Sequence, residues 1–297
     1  MPDQEGELLM ARSSPLLGVT GATGRLGGRV ARRLAAVGAA QRLLVRDPSR
    51  APQLPGSMPV RAPFADLGAV RAALEGVPTV LMVSASETPD RVDQHISFID
   101  AAIAAGVEHL VYISFYGASP TCTFTLARDH YATEEHIRAS GLRFTFLRDN
   151  LYADFLPAMA GDEGVIRGPG GGGRAAAVAQ DDIADAAVTV LRDPEQHTGI
   201  TYSLTGPRAL SLDDVAATLS AEWGRPVRYE RETVEEAYAS RARYGAPRWQ
   251  VDAWVSTYVA IANGEFAGVT DDIPRLTGHP ATSLAELLRH GRGAYHP

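Results

Sequence analysis

The sequence predicts an α/β protein with helices on both faces of a doubly wound parallel sheet, followed by a smaller C-terminal α/β lobe. Apolar, strand-like runs alternate with helix-like patterns through residues 15–160, which is typical of a parallel sheet. Near the start, the apolar run 16–20 leads into glycines three residues apart and then into an amphipathic helix. The last third, residues 206–297, differs in composition and carries a cluster of aromatic residues, which indicates the separate lobe.

The glycine turn after the first strand predicts a site for a dinucleotide pyrophosphate. Gly21 permits the tight turn, Gly24 lets the main chain approach the phosphates, and Gly27 lets the helix pack close to the strand. Unpaired N–H groups at the helix start attract the anion. A purely structural strand–helix turn is the alternative at this point. The predicted cofactor-binding residues of this Rossmann turn are Gly21, Ala22, Thr23, Gly24, Arg25 and Leu26.

Arg46, directly after the second strand (42–45), favours NADP(H) over NAD(H). This strand edge meets the adenosine ribose, where an arginine can pair with a 2′-phosphate and an acidic residue would bind a free 2′-hydroxyl. Arg25 is a possible second cation. The adjacent Asp47 leaves NAD(H) possible, and Arg46 as a solvated loop charge is the alternative reading.

The next two strands add candidates at the same edge. After a third strand at 60–62, Asp66 and Leu67 can serve the adenine, although Asp66 as a helix N-cap explains it equally well. The fourth strand, 79–83, is followed by small polar residues placed to line the nicotinamide side. These residues are Ser84, Ala85 and Ser86.

The reaction site is expected where the fifth and sixth strands end. A helix over 90–105, predicted to bury Ile96, Ile99 and Ile103, separates the fourth strand from the fifth. Strand 109–113 ends at Ser114, helix 124–140 carries His130, and strand 143–147 ends at a segment containing Asn150 and Tyr152. The predicted catalytic residues are Ser114, His130 and Tyr152, with Asn150 assigned to the cofactor. His130 can donate a proton or hold the ribose, and a structural role is equally open.

The chain contains no lysine, because all 28 of its basic residues are arginine. It therefore cannot form the Tyr-x-x-x-Lys pair with which short-chain dehydrogenases usually move a proton. Tyr131 is followed four residues later by Glu135, whose charge would raise a tyrosine pKa. Hydride transfer without a dedicated acid remains feasible for quinones and extended conjugated cations, since the acceptor itself delocalises the electrons. Neither an HExxH metal motif nor a G-x-S-x-G elbow occurs.

The predicted domain plan has three parts. Residues 1–14 form a loose tail, residues 15–160 form the cofactor domain with its sheet completed by about 175–205, and residues 206–297 form the substrate-side lobe. The glycine-rich stretch 161–173 is expected to be a loop or boundary, and 175–179 a strand. Aromatic residues are expected to line the substrate pocket, although packing of the lobe also explains them. They are Tyr116, Phe155, Trp249 and Trp254.

Charge and composition limit the partners. A net charge of −7 argues against nucleic acid as a partner, and the single cysteine excludes an internal disulfide. Eighteen apolar residues nowhere follow one another, so no membrane-spanning segment is predicted. We expect a cytoplasmic protein, monomeric or homodimeric, that acts on a small molecule and holds no metal.

Five stretches together resemble the NmrA-like group of atypical short-chain dehydrogenases. The similarity is greatest to its NADPH:quinone oxidoreductase and triphenylmethane reductase branch. The stretches are TGATGRLG (20–27), VRDP (45–48), LARDHYATE (126–134), SGLRFTFLRDNLY (140–152) and YSLTGP (202–207).

The resemblance implies a Rossmann domain that binds NADP(H) through the glycine turn and Arg46, with a small lobe over the acceptor. It also implies that residues 148–150 lie near the nicotinamide and that His130 corresponds to the histidine of a family motif. The expected activity is NADPH-dependent reduction of a quinone or similar planar acceptor without a Tyr-Lys pair. The alternatives are a non-catalytic NADP(H)-binding redox sensor, and a tailoring reductase or non-redox isomerase of a specialised metabolite.

Overall fold

A computed structural model describes residues 15–290 of the 297-residue chain. Its main sheet has seven parallel strands in the order β3-β2-β1-β4-β5-β6-β9, which confirms the predicted doubly wound Rossmann architecture. The predicted N-terminal tail and the last seven residues lie outside the described residues. The strands of the described residues are β1 (Leu17–Thr20), β2 (Gln41–Val45), β3 (Ser57–Arg61), β4 (Thr79–Val83), β5 (His109–Phe115), β6 (Arg143–Asp149), β7 (Val165–Gly168), β8 (Arg174–Ala175), β9 (Thr201–Leu204), β10 (Leu210–Ser211) and β11 (Arg228–Arg231).

Helices cover both faces of the main sheet. Helices α1 and α6 pack on one face, while α2, α3 and α4 pack on the other. The helices of the described residues are α1 (Arg25–Ala36), α2 (Leu67–Leu74), α3 (Arg91–Ala104), α4 (Thr125–Ala139), α5 (Leu156–Met159), α6 (Gln180–Arg192), α7 (Leu212–Trp223), α8 (Val234–Arg241), α9 (Arg248–Ala262), α10 (Asp272–Thr277) and α11 (Leu284–His290).

The central strands are apolar on both sides, as a sheet covered on both faces requires. In β4, Leu81 packs into the α1–α6 core, whereas Val80 and Met82 pack into the opposite core. All three side chains are fully buried. Because all seven strands run parallel, their carboxyl ends meet at one edge of the sheet.

Outside the main sheet, two small sheets join the predicted C-terminal lobe (206–297) to strands that precede it in the chain. Strand β7 pairs parallel with β11, and β8 pairs antiparallel with β10. The strand expected at 175–179 is shorter: only Arg174–Ala175 belongs to a ladder. Beyond it the N–H groups of Ala176 and Val178 donate to carbonyls of Phe266 and Leu151, which lie in separate segments.

Part of the glycine-rich stretch is ordered strand, because its glycines allow close packing against α9. A Cβ on Gly168 would stand 2.3 Å from the Tyr258 ring, and one on Gly173 would stand 1.9 Å from the Ile261 carbonyl oxygen. The expected loop or boundary therefore contains β7 and packs tightly against α9. Within residues 15–290, no helix has the length and apolar character needed to span a membrane.

Candidate cofactor and acceptor site

The glycine turn joins β1 to α1 in the geometry that a pyrophosphate needs. Gly21 adopts a φ of 65°, and the Gly24 N–H donates to the Gly21 carbonyl at 2.8 Å. A Cβ on Gly27 would stand 2.4 Å from the Gly21 carbonyl oxygen, so only glycine allows the helix this close to the turn. Gly21, Thr23, Gly24 and Arg25 are exposed, whereas Ala22 and Leu26 are buried.

A cavity of about 400 Å³ opens beside this turn and is ringed by arginines. Its polar wall consists of Arg25, Arg29, Arg32 and Arg50, beside Thr23 and Gly24. Arg29 is held by the carboxylates of Asp154 at 3.1 Å and Asp181 at 3.2 Å. The exposed turn, the clustered positive charge and the room beside them fit a dinucleotide phosphate.

Arg46 is exposed at the end of β2, and its neighbour Asp47 is engaged locally. The Asp47 carboxylate accepts from Ser49 N at 3.0 Å and from Ser49 Oγ at 2.7 Å, which caps the 3₁₀ helix Pro48–Arg50. These bonds also lower the pKa of Asp47. Its carboxylate is therefore committed to the turn, which weakens the case for a ribose contact typical of NAD(H).

Asp66 is the N-cap of α2, which is one of the two roles predicted for it. Its carboxylate accepts from the Ala69 N–H at 3.1 Å and pairs with Arg61 at 3.3 Å. Leu67, the first residue of the helix, is exposed.

The residues after β4 are tied to α3 through their backbone. The Ala85 N–H donates to His95 Nε2 at 2.9 Å, and the Ala85 carbonyl accepts from Arg91 Nε at 3.1 Å. Ser84 is half-buried and Ser86 is exposed. Because His95 Nε2 accepts, Nδ1 carries the proton and donates to Thr133 Oγ1 at 2.9 Å. Burial lowers the pKa of His95 to about 3, with the Arg91 charge adding to the shift.

His130 is buried in α4 and both of its ring nitrogens have protein partners. Nε2 lies 3.0 Å from Arg91 Nη2, and Nδ1 lies 2.9 Å from the Tyr112 hydroxyl. Burial lowers the pKa of His130 well below its ordinary value, and the Arg91 charge acts in the same direction. Arg91 is itself buried, and its Nη1, 3.6 Å from Asp129 Oδ2, has no hydrogen-bond partner within residues 15–290.

Ser114 ends β5 in a second buried network. Its Oγ donates to Glu134 Oε1 at 2.5 Å, and Glu134 is also held by Arg148 at 2.6 Å and Arg138 at 2.8 Å. The carboxylate is fully buried, and both of its oxygens have cationic partners. The Ser114 hydroxyl is therefore engaged in joining β5 to α4.

Asn150 and Tyr152 follow β6 with different roles. Asn150 is fully buried; its Nδ2 donates to the Phe266 carbonyl at 3.0 Å and its Oδ1 accepts from Leu151 N at 2.8 Å. Both amide atoms thus bind the backbone and anchor the segment before α10. Tyr152 is half-buried, and its hydroxyl donates to Asp149 Oδ2 at 3.0 Å. Burial raises the pKa of Asp149 and that of Tyr152 well above their ordinary values.

A larger cavity of about 980 Å³ lies between this sheet edge and the C-terminal lobe. Tyr152 and Phe155 form its wall on the cofactor-domain side, while Trp254 and Tyr258 come from α9 and Tyr244 from the 3₁₀ helix Ala242–Tyr244. The aromatic lining and the volume suit a flat conjugated molecule. Among the predicted pocket residues, Phe155 and Trp254 line it.

The other two predicted pocket residues lie elsewhere. Trp249 is half-buried on the first turn of α9 and does not line the cavity. Tyr116 packs with the cluster that includes Phe115 and Phe266, and its hydroxyl abuts Gly268, where a Cβ would stand 2.0 Å away.

Phe155 joins the two cavities. Its ring lies under the Arg25 guanidinium, with 5.3 Å from the guanidinium carbon to the ring centroid. Arg25 belongs to the glycine turn and Phe155 to the larger cavity, so the phosphate site and the aromatic cavity share one contact.

Sequence reasoning missed Arg91 and His95 at this edge, and Arg29, Arg32 and Arg50 at the turn; Asp149 lies in the segment 148–150 that was expected near the nicotinamide, but no role was assigned to it. Arg50 follows β2 by only a few residues, so its closeness to Arg46 was an available signal. Within the described range 15–290, no cluster of three or more His, Cys, Asp or Glu side chains is arranged to hold a metal ion.

The family follows from a comparison with known proteins. Residues 21–194, more than half of the chain, match a family described as NAD(P)H-binding. The chain belongs to this NAD(P)H-binding family. The match begins at Gly21 of the turn and ends just after α6, so it covers most of the sheet with its flanking helices.

Relatives with a stated activity extend over nearly the whole chain. Quinone oxidoreductase 2 of Escherichia coli is 33% identical over 93% of this chain and 98% of the relative. Its crystal structure with NADPH superposes with a TM-score of 0.85, covering 92% of this chain and 99% of that one. An NAD(P)H azoreductase of Xenophilus azovorans is 34% identical over 93% of this chain and 98% of its own.

The chain is also similar to a reductase of dyes. The Citrobacter triphenylmethane reductase complexed with NADP(H) has a TM-score of 0.82 and 30% identity, covering 92% of this chain and 99% of that one. The resemblance to the quinone oxidoreductase and triphenylmethane reductase branch is thereby confirmed.

Proposed function

We propose that the protein is an NADPH-dependent reductase that transfers hydride to a planar conjugated acceptor such as a quinone. The observation that carries this proposal is the contact between Arg25 and Phe155, which joins a phosphate-binding turn to an aromatic cavity of about 980 Å³. The relatives named quinone oxidoreductase, azoreductase and triphenylmethane reductase support the same reaction class.

The residues of this chain supply binding and orientation. In this proposal the Gly21–Gly24 turn and Arg25, Arg29 and Arg32 of the smaller cavity hold the pyrophosphate, and Arg46 and Arg50, which follow β2, bind the 2′-phosphate. NADPH, when bound, supplies the hydride. The aromatic walls hold the acceptor flat at the sheet edge, and proximity then accounts for most of the rate.

The aromatic cavity favours a reductase over a redox sensor. A sensor needs only a cofactor site and a surface for its partner, whereas here a volume suited to a second small molecule opens at the same edge. The cavity is lined by Tyr152, Phe155 and Trp254, which suits stacking against a flat acceptor.

The test is acceptor-dependent oxidation of NADPH. Purified protein is mixed with NADPH and, separately, a naphthoquinone, an azo dye, a cationic triarylmethane dye and a conjugated lactone, and the absorbance of the reduced nicotinamide is followed. We expect turnover with at least one acceptor, faster with NADPH than with NADH, and none when the acceptor is omitted. Tight NADPH binding without turnover across the panel would contradict the proposal and favour the sensor.

A further inference from the structure

Asp149 occupies an unusual place for a carboxyl group. It is the last residue of β6, it is 3% exposed, and the only hydrogen bond that its carboxyl makes within residues 15–290 comes from Tyr152. No arginine or histidine side chain of those residues forms an ion pair with the Asp149 carboxyl group. A carboxyl buried without a cation retains its proton near neutral pH.

The other buried acids within residues 15–290 have hydrogen-bond partners on both carboxyl oxygens. Glu134 is held by Arg138 and Arg148, and Asp154 pairs with Arg29 at 3.1 Å and accepts from the Gln180 N–H. Asp182 accepts from the Thr282 N–H and from the Thr282 hydroxyl, both at 2.7 Å. Each of these three carboxyl groups joins two segments of the chain. Asp149 makes no such connection and instead meets Tyr152, a residue of the cavity wall.

We propose that Asp149 and Tyr152 form a proton relay that serves the acceptor in the aromatic cavity. Asp149 stores the proton and Tyr152 delivers it. The inference rests on the proposed reductase function and names the source of its proton. When Asp149 is protonated it can donate to the Tyr152 oxygen across the 3.0 Å contact, which frees the Tyr152 hydrogen for a cavity ligand.

Reduction of a quinone through this relay uses one hydride and one proton. The quinone takes a hydride, and with it two electrons, from NADPH and becomes a hydroquinone anion. The Tyr152 O–H bond breaks as its proton goes to the anionic oxygen, and the Asp149 O–H bond breaks as its proton goes to the Tyr152 oxygen. Asp149 is left as a carboxylate and regains a proton from water that enters through the cavity.

The surroundings of the pair set its pH response. Arg91 of α3 favours the charged form of both groups, and Asp154 of the 3₁₀ helix Ala153–Phe155 disfavours ionised Tyr152. The strand neighbours of Asp149 are Phe115 in β5 and Leu204 in β9, which are uncharged. In α4, His130 stays neutral. Burial outweighs Arg91, so the protonated, donating form of Asp149 prevails at low pH and is lost as the pH rises.

Two acceptors separate proton delivery from hydride transfer. A quinone needs a hydride and a proton, whereas a cationic triarylmethane dye becomes neutral by taking a hydride alone. In the Asp149→Asn variant, which preserves shape and hydrogen-bonding capacity, we expect kcat for the quinone to fall about 100-fold. Its decline with rising pH should disappear, while dye reduction and NADPH affinity stay unchanged. Tyr152→Phe, which keeps the aromatic ring of the cavity wall, should show the same loss of quinone kcat and of its pH dependence. Tyr202→Phe, whose hydroxyl lies 2.7 Å from His197 and which does not line the cavity, should show neither loss.

A spectroscopic measurement tests the stored proton without any acceptor. Infrared spectra of the cofactor-free protein at neutral pH should contain a protonated-carboxyl C=O band that is absent in Asp149→Asn. The relay is overturned if that band is missing, if the variant keeps the wild-type pH profile, or if both acceptors lose rate equally. Failure of wild-type protein to oxidise NADPH with any acceptor would instead overturn the proposed function, whatever the infrared result.

Discussion

The Arg91 guanidinium donates to His130 Nε2 at 3.0 Å, and this contact determines what the histidine can do. A guanidinium has only donors, so Nε2 must accept and the single ring proton lies on Nδ1, facing the Tyr112 hydroxyl at 2.9 Å. His130 is 6% exposed and all of its hydrogen-bonding capacity is used inside the protein. The arrangement favours the structural interpretation of His130, in which it joins α4 to α3 and β5.

Replacement of His130 should therefore affect stability more than chemistry. In His130→Asn the buried Arg91 loses its acceptor, and we expect the free energy of unfolding to fall by about 2–3 kcal/mol. The pH dependence of kcat should keep its shape. Urea unfolding and a pH–rate profile measure the two quantities. His136→Asn, on the outer side of the same helix and paired with Asp100, is the matched control. A lost limb of the pH profile at unchanged stability would show that His130 carries the proton.

Acidification should destabilise the fold through His95. Its pKa is about 3 in the folded protein and near the ordinary 6.5 when unfolded, so the unfolded state binds the proton first as the pH falls. Stability is fully present above pH 6.5 and declines below it; this group alone should remove about 2 kcal/mol between pH 7 and pH 5. Urea midpoints at several pH values should show a shallower decline for His95→Gln than for wild type or His136→Gln. Equal slopes in all three proteins would contradict the assignment.

Arg46 and Arg50 should distinguish NADPH from NADH. Loss of one charge-assisted contact to a 2′-phosphate costs about 1.5–3 kcal/mol, so Arg46→Ala should weaken NADPH binding roughly 10- to 100-fold and leave NADH binding almost unchanged. Arg50→Ala should act in the same direction. Arg192 is the last residue of α6, from which the chain continues towards β9 on the far side of the sheet from β2. Arg192→Ala should therefore change neither NADPH binding nor NADH binding. Titration of cofactor fluorescence gives the constants, and equal losses for the two cofactors would show that the 2′-phosphate is bound elsewhere.

Two tryptophans of α9 offer a matched test of the aromatic cavity. Trp254 lines the cavity and its ring meets Tyr244 edge-on at 5.9 Å, whereas Trp249 does not line it. Trp254→Leu should raise the acceptor KM roughly 3- to 10-fold, since one aromatic contact is worth about 0.5–1.5 kcal/mol. Trp249→Leu should leave it unchanged. The acceptor KM is measured by steady-state kinetics at saturating NADPH. Equal effects of the two variants on KM would place the acceptor outside this cavity.

The local pattern predicted the cofactor half of the fold well, because each element there is specified by nearby residues. The run 16–20, the glycine spacing and Asp66 as an N-cap correspond to β1, the turn and the start of α2. Right-handed crossovers between parallel strands restrict the strand orders that such an alternation allows, and the structure shows which of them is formed. The position of the cofactor turn is therefore readable from the amino-acid sequence alone.

The buried polar side chains of α3 were missed because apolar periodicity does not count them. In α3 the expected inward residues included Ile103, yet Ile103 is 40% exposed and the buried face carries Arg91, His95 and Phe98. The spacing of these three residues places them on one side of a helix, so the face was visible in the sequence. Their partners Ala85, Thr133 and His130 lie in other segments, and only the tertiary fold brings them together.

Which aromatic residues line the cavity also depends on the tertiary fold. Trp249 and Trp254 lie on one helix, and the sequence gives no reason to assign only one of them to the cavity. Only the placement of α9 against α8 and the β6–α5 segment puts one of them in the cavity wall.

Transfer of deuterium from the cofactor to the acceptor tests the central claim most directly. Protein is incubated with NADPH deuterated stereospecifically at nicotinamide C4 and with a cationic triarylmethane dye, and the leuco product is analysed by mass spectrometry and NMR. Hydride transfer in the aromatic cavity predicts that one of the two C4 epimers delivers its deuterium to the central carbon of the dye. A reduced dye that carries no deuterium from either epimer would contradict the account.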